Sequence, residues 1–283
     1  MSLPVDVSVE RGRLFTSGNR GLVTVGRKPS IVIVCFICLI VAGGCSQEPQ
    51  GEGPGRREQP LALTPSQELQ IGREAYRQIL EQAPIMESGP EVEQVQRVSK
   101  RIAEAVQIEP LQREINLRLA GYQFEWEYNV IQDDQANAFC LPGGKVVVLT
   151  GLLRMVQNDD QLAAVIAHEV AHALAHHASE RIARERVVGR GLLSLSYNRQ
   201  QETEADHIGL FLMTFAGYDP AEAVEFWQAM QRSRSGQLHL PEIISDHPND
   251  TRRMQQLEAW VGPARAAKKA FDEGRILPVS SRR

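Results

Sequence analysis

The 283-residue chain is predicted to fold as an α+β domain in which helix predominates. Three observations lead to this fold class. Apolar residues recur at helical spacing early in the domain, alternate with polar residues in a short middle section, and return to helical spacing for most of the rest. Helices followed by a small sheet and then by more helices are typical of an α+β domain.

The first helix is predicted to begin at a capping box. Thr64 is suited to the N-cap, Pro65 to the first helical position, and Gln67 closes the box. A second amphipathic helix follows, because apolar residues recur at helical spacing over 92–106.

The middle of the chain is predicted to form strands. Residues 124–130 alternate between apolar and polar, which indicates a half-buried strand. A turn signal, Leu-Pro-Gly-Gly at 141–144, precedes a second β-rich segment at 145–150.

The rest of the chain is predicted to be mostly helical. Residues 186–199 contain two glycines and no clear period, so a mobile loop and a helix extension are both open there. The predicted helices cover 159–184, 200–216, 220–234 and 249–261.

Composition places the chain among ordinary globular proteins. Apolar residues make up 42% of the chain and charged residues 23%, which excludes wholesale disorder and the collagen-like and coiled-coil classes. The formal net charge of −4 gives no basic surface for nucleic acid.

A targeting segment is predicted at the start of the chain. Arg27 and Lys28 precede an unbroken apolar run over 31–42, which is shorter than the roughly 20 apolar residues of a membrane-spanning helix and indicates a secretory signal. Ala-Gly-Gly-Cys at 42–45 resembles a lipobox, the site where bacterial lipoprotein precursors are cleaved and lipidated. We therefore expect 1–44 to be a lipoprotein-type signal peptide. An uncleaved short anchor or an ordinary signal peptide are the alternatives.

The remaining chain divides by composition. Residues 45–62 are rich in Gly, Pro, Glu and Gln and are predicted to be a flexible tether. The folded domain is expected over 63–262 and a C-terminal tail over 263–283. With Cys45 lipidated, Cys140 has no partner, so no structural disulfide is expected and Cys140 is predicted to be a small buried hydrophobic residue.

One motif in the helix predicted over 159–184 indicates metal chemistry. His168 and His172 in His-Glu-Val-Ala-His are four apart, so both imidazoles lie on one helix face and can bind one metal ion. Glu169, one step round the helix, can instead reach a metal-bound water as a general base. The alternative is a helix with two hydrogen-bonded histidines and a surface glutamate.

A catalytic zinc site needs a third protein ligand. His176 lies two helical turns beyond His168, which is too far for one ion to bind both. His176 and His177 are therefore expected on the helix surface.

A later helix offers carboxylates for the third position. Glu202 and Asp206 share one face of it, and spacing alone leaves the choice between Glu202 and Glu204 open. His-Glu-x-x-His followed by Glu-x-x-x-Asp resembles the HtpX and CAAX prenyl endopeptidase family of zinc metallopeptidases. The resemblance implies that Glu202 is the third ligand and that Asp206 is a helper beside the ligands.

Two further stretches carry the same resemblance. Residues 137–153 are similar to the Asn-Ala-Phe-x-Leu-Pro-Gly-Gly segment of that family and its following edge strand, and 246–253 to its late His-Pro element. The resemblance implies that the strand after Gly144 leaves an unpaired edge, to which an extended substrate could add as a further strand. The family fold is a zincin-like domain with a small β-sheet and a helix that carries the histidine motif. Among its members, this chain is most similar to the soluble periplasmic branch of LoiP-like and BepA-like lipoproteins.

The resemblance implies a zinc-dependent endopeptidase that cleaves unfolded or misassembled proteins. One zinc ion per chain would be held by His168, His172 and Glu202, while Glu169 activates a water. His247 is expected to act either as an oxyanion helper or as a reversible ligand that keeps the enzyme latent. The alternative is a zinc-stabilised periplasmic chaperone or assembly factor with little or latent proteolysis.

The same interpretation predicts location and partners. We expect a periplasm-facing lipoprotein of the bacterial cell envelope that contacts the membrane through lipidated Cys45. Ser46 favours the outer membrane. The expected substrates are unfolded or misassembled envelope proteins, nucleic acid is not an expected partner, and the oligomeric state stays open.

Overall fold

The computed structural model describes residues 51–52, 58–117, 119–188, 198–233, 243, 247 and 251–275. These residues form mostly helix with a small sheet, which confirms the predicted fold class. The predicted signal segment, 1–44, lies outside the described residues, as does Cys45. In the described part of the chain, no helix combines the length and the apolar character needed to cross a membrane.

The described part of the chain contains helices and strands with the following bounds. The described helices are α1 (Pro65–Gln82), α2 (Pro90–Val106), α3 (Glu109–Glu114), α4 (Thr150–Leu153), α5 (Asp159–Leu174), α6 (His177–Val188), α7 (Arg199–Phe215), α8 (Ala221–Ser233) and α9 (Thr251–Asp272). The described strands are β1 (Gly51–Glu52), β2 (Glu58–Gln59), β3 (Ile85–Met86), β4 (Glu127–Ile131), β5 (Ala138–Leu141) and β6 (Lys145–Leu149).

The main sheet has four strands in the order β3-β4-β6-β5. β4 and β6 are parallel, and the other two pairs are antiparallel. The expectation that the strand after Gly144 leaves an unpaired edge is wrong. β6 is paired on both sides, because the turn at 142–144 folds β5 back onto one edge while β4 occupies the other. All five residues of β6 are buried, as is usual for a strand covered on both faces.

Helix boundaries agree best with prediction where local capping sets them. Thr64 and Gln67 form the predicted capping box at the start of α1. At the other end of the domain, α9 continues through Pro263 to Asp272, beyond the predicted end at residue 261. At 186–199, α6 continues to Val188, while residues 189–197 lie outside the described part.

The predicted continuous helix over 159–184 is wrong at one point. α5 ends at Leu174, and His176 takes a left-handed backbone conformation with φ 53° before α6 begins. The side chain of His176 explains the break: its Nδ1 lies 2.9 Å from Glu68 Oε2 and its ring stacks on Tyr122 at 3.6 Å between centroids. His176 and His177 are buried, so the expectation that they lie on the helix surface is also wrong.

Part of the predicted tether packs against the domain. Gln59 and Leu61 are buried. Gln59 Nε2 donates to the Ala175 carbonyl at 2.6 Å and to Glu180 Oε2 at 3.0 Å. The packed region therefore includes residues before 63 and is attached at the junction between α5 and α6.

Candidate metal centre

The central helix α5 presents two imidazoles to one point. Its N-terminus is capped by Asn158, whose side chain accepts from the Gln161 N–H, and residues 161–174 are all buried. His168 and His172 are each 2% exposed, and their Nε2 atoms lie 3.1 Å apart. The predicted i, i+4 arrangement of the motif on one helix face is thus present.

The neighbouring helix α7 brings a carboxylate to the same point. Asn198 and Gln201 form a capping box that fixes its first turn, which contains Glu202. Close approach of α7 to α5 depends on Gly209, since a Cβ there would lie 2.9 Å from the backbone nitrogen of His168. Glu202, 1% exposed, therefore reaches the site from a helix packed tightly against the one that carries the histidines.

His247 completes the cluster from a segment late in the chain. Its N–H donates to the Ile243 carbonyl, and the Ile243 N–H donates to the Ala136 carbonyl just before β5. Its Nδ1 lies 3.2 Å from His168 Nε2 and 3.0 Å from Glu202 Oε1. His247 is 3% exposed, so it is enclosed with the other members.

The donor set fits a tetrahedral metal ion. One ligand atom from each of His168, His172, Glu202 and His247 lies within 4.8 Å of the others. Two ligands that are about 2.0–2.1 Å from a tetrahedral zinc ion lie about 3.3 Å from each other. The observed separations around His168 Nε2 are 3.1 Å to His172 Nε2, 3.5 Å to Glu202 Oε2 and 3.2 Å to His247 Nδ1. Three imidazoles and a carboxylate are also ligands that zinc prefers.

The other predicted site residues lie beside this cluster. Glu169 Oε1 is 3.2 Å from His247 Nε2, and Asp206 Oδ1 is 3.1 Å from His168 Nδ1. Glu204, which spacing had left open as a ligand, lies 3.1 Å from His177 Nε2 and is not a member of the group of four.

Arg253 has a role at the site that the sequence analysis missed. It is 3% exposed and forms a two-pronged ion pair with Asp206, at 2.7 and 2.8 Å. Its Nη1 also lies 2.7 Å from Glu202 Oε2. The available signal was its place six residues after His247, in the stretch already recognised as similar to the His-Pro element.

Burial and charge oppose each other in the pKa values of the histidines. Burial works to lower the pKa of His168, but hydrogen bonds with Asp206 and Glu202 raise it to about 9. The pKa of His172 is instead well below its usual value, because burial dominates over the attraction of Glu202. His172 is therefore neutral, which is the form of imidazole that binds a metal.

The carboxylates stay ionised despite their burial. Burial works to raise the pKa of Glu202, but the surrounding histidines, His247 first, hold it well below its usual value. The pKa of Asp206 is also lowered, since Arg253 and His168 outweigh its burial. Glu202 is therefore in the ionised form, which is the form of a carboxylate that binds a metal.

The strand at the end of the sheet, β5, packs against the helix that carries Glu169. Cys140 on β5 is a free, buried cysteine, as predicted, and burial raises the pKa of its thiol, to which the charge of Glu169 adds. The thiol is neutral and serves in packing. β5 packs against α5, the helix that carries this proposed general base.

Comparisons with known proteins find metallopeptidase relatives. Residues 93–190 and 186–261 match Peptidase family M48. Mitochondrial metalloendopeptidase OMA1 of Schizosaccharomyces pombe is 38% identical over 169 residues, which make up 52% of this chain and 50% of that protein. Mitochondrial metalloendopeptidase OMA1 of Saccharomyces cerevisiae is 33% identical over 227 residues, 70% of this chain and 64% of that protein. The beta-barrel assembly-enhancing protease of Escherichia coli is 24% identical over 217 residues, 66% of this chain and 42% of that protein. The matches thus span less than two thirds of the length of these relatives.

The predicted location is wrong. Relatives with the higher identities are mitochondrial metalloendopeptidases of fungi, plants and animals, whereas the bacterial relative is more distant. A bacterial outer-membrane lipoprotein anchored through Cys45 and acting on envelope proteins therefore loses its support.

The predicted metallopeptidase class is confirmed at the level of the family. The matched residues cover more than half of the chain and include the helix with the histidine motif, the carboxylate helix and His247. The zincin-like domain, predominantly helical with a small sheet, is confirmed as well. The chain belongs to Peptidase family M48.

Proposed function

We propose that this chain is a zinc-dependent endopeptidase that cleaves unfolded segments of protein substrates. The observation that carries the proposal is the convergence of four buried donors, His168, His172, Glu202 and His247, with Glu169 in contact with one of them. Glu-x-x-x-Asp on α7 and the segment before β6 further support the resemblance to the HtpX and CAAX prenyl endopeptidase branch. The relatives named metalloendopeptidases favour the same reaction class.

The residues divide the work of peptide hydrolysis. His168, His172 and Glu202 would hold the ion, and zinc bound there supplies Lewis-acid chemistry that polarises a carbonyl and acidifies water. Glu169 accepts a proton from the water that attacks the scissile carbonyl. It then returns that proton to the leaving amine as the C–N bond breaks. Asp206 holds the His168 ring through Nδ1, as carboxylates beside metal-binding histidines do.

His247 is assigned as a reversible fourth ligand in a latent state. Its Nδ1 stands among the other donors, and its Nε2 contacts Glu169. In this position it occupies the place that a substrate would need and engages the general base. Movement of His247 away from the cluster would free the substrate position and Glu169 at once.

β5 is the strand proposed to bind substrate. Among the described residues it pairs only with β6, and it packs against α5, the helix that carries Glu169. An extended substrate could add to its other edge through backbone hydrogen bonds, which read conformation rather than sequence. Low sequence selectivity and a preference for unfolded segments follow.

The proposal is tested by comparing wild-type protein with Glu169→Gln. Wild-type protein with zinc should cleave an unfolded substrate such as casein and should lose this activity on chelation. Glu169→Gln should bind zinc with the wild-type stoichiometry yet fail to cleave, because the amide accepts no proton. Cleavage by Glu169→Gln at the wild-type rate would overturn the assigned mechanism. Zinc-dependent binding of casein without turnover, even in His247→Ala, would favour a chaperone instead.

A further inference from the structure

The two histidines of α5 are supported in different ways on the side of the ring that faces away from the donor cluster. His168 Nδ1 lies 3.1 Å from Asp206 Oδ1, a direct contact with a carboxylate. His172 Nδ1 lies 2.8 Å from the Nδ1 of His177, and His177 Nε2 lies 3.1 Å from Glu204 Oε2. The carboxylate that supports His172 therefore acts through a second imidazole.

These hydrogen bonds have one consistent direction when His172 serves as a ligand. A neutral imidazole that binds through Nε2 carries its proton on Nδ1, so His172 donates to His177 Nδ1. His177 then carries its own proton on Nε2 and donates it to Glu204. An ionised carboxylate only accepts, so Glu204 fixes the tautomer of His177 and, through it, that of His172.

The residues that connect His172 to Glu204 are buried. His177 is 0% exposed and Glu204 9% exposed. A buried imidazole needs partners for its polar atoms. The Nδ1 of His177 has His172 as its partner, and the Nε2 has Glu204. The backbone reversal at His176 places His177 at the first position of α6, from where it contacts α5 and α7.

We propose that His177 and Glu204 are positioning residues that hold the His172 ring with Nε2 directed at the metal. This inference rests on the proposed zinc site. The sequence Glu202-Thr203-Glu204-Ala205-Asp206 then has three tasks: one carboxylate faces the metal, and the other two support one histidine each. Outer partners of this kind change metal affinity by about 10–100-fold.

The test measures zinc affinity by competition with a chelator of known affinity, and the visible absorption spectrum of the cobalt(II)-substituted protein. His177→Phe and Glu204→Ala should each bind zinc about 10–100-fold more weakly than wild type. Their cobalt spectra should also change, because the His172 ring is free to rotate. His177→Asn and Glu204→Gln keep an acceptor at the required place, so both should restore most of the affinity.

The matched control is His176→Asn. His176 is the neighbouring residue, is also buried and also contacts a carboxylate, Glu68. Its contacts with Glu68 and Tyr122 do not involve any of the four proposed ligands. Its substitution should lower the melting temperature and leave the cobalt spectrum unchanged. A purely structural role for His177 predicts the same behaviour as the control.

The outcomes separate this inference from the function on which it rests. Wild-type protein that binds no zinc would overturn the proposed function and this inference with it. Wild-type zinc affinity and cobalt spectrum in both His177→Phe and Glu204→Ala would overturn the inference alone. If His177→Phe does not fold, Glu204→Ala decides, since it removes the far end of the same chain.

Discussion

Replacement of Arg253 by methionine should destabilise the metal-free protein strongly. Arg253 is 3% exposed and pairs with Asp206 through two hydrogen bonds and with Glu202 at 2.7 Å. Met keeps much of the apolar bulk but removes the guanidinium partner of two buried carboxylates, Asp206 and Glu202. Removal of one partner from a buried ion pair typically costs about 3–5 kcal/mol, a large part of the roughly 5–15 kcal/mol that stabilises a domain.

The measurement is urea unfolding of metal-free protein at pH 7, followed by circular dichroism. Arg253→Met should lower the free energy of unfolding by about 3–5 kcal/mol. Arg252→Met is the matched control, because Arg252 is exposed and its replacement should stay within about 0.5 kcal/mol of wild type. If Arg253→Met lowers the free energy of unfolding by less than about 1 kcal/mol, the ion pairs of Arg253 do not stabilise the site as buried pairs typically do. Zinc should restore part of the stability of Arg253→Met, since the ion compensates the charge of Glu202.

Three further predictions concern packing, latency and pH. Gly209→Ala should force α7 away from α5, lower the free energy of unfolding by about 1–3 kcal/mol and weaken zinc binding. Gly262→Ala is the control and should be neutral or stabilising, because an added Cβ there would have nothing within 4 Å. Equal unfolding curves for the two variants would contradict the close approach of the helices. His247→Ala should raise the rate of casein cleavage by about tenfold if the closed state is favoured by about 1.4 kcal/mol, and a lower rate at saturating zinc would instead make His247 a transition-state helper. The pKa of Glu125 is lowered to about 2, chiefly by its hydrogen bond with Arg73, so its stabilising contribution should be present above about pH 4.3 and lost as the pH falls toward 2. The melting temperatures of wild type and Glu125→Gln should therefore converge between pH 5 and pH 2, and a gap that widens on acidification would refute the sign.

Local sequence signals predicted the parts of the site that local geometry determines. The i, i+4 spacing of His168 and His172 was enough to place both on one face, because the helix around them is regular. The third metal ligand could not be chosen in this way. The spacing does not distinguish Glu202 from Glu204, and only the family resemblance favours Glu202. The structure separates them, since Glu202 faces the cluster and Glu204 faces His177.

The errors arose where long-range contacts override local pattern. The helix break at His176 has no glycine or proline to signal it, and the left-handed backbone there is held by Glu68 and Tyr122, about 108 and 54 positions away in the chain. The burial of His177 follows from that break, so a continuous helical pattern placed it on the surface. Likewise, the central place of β6 depends on its pairing with β4, which the sequence of β6 does not encode.

The most direct test of the account is the zinc content at equilibrium of three proteins dialysed against micromolar zinc. Wild type and Glu204→Ala should each hold one zinc ion per chain, and Glu204→Ala should bind it with weaker affinity. Glu202→Ala should lose the bound ion. One zinc ion retained at wild-type affinity in Glu202→Ala, or none bound by wild type, would contradict the assignment of the metal centre.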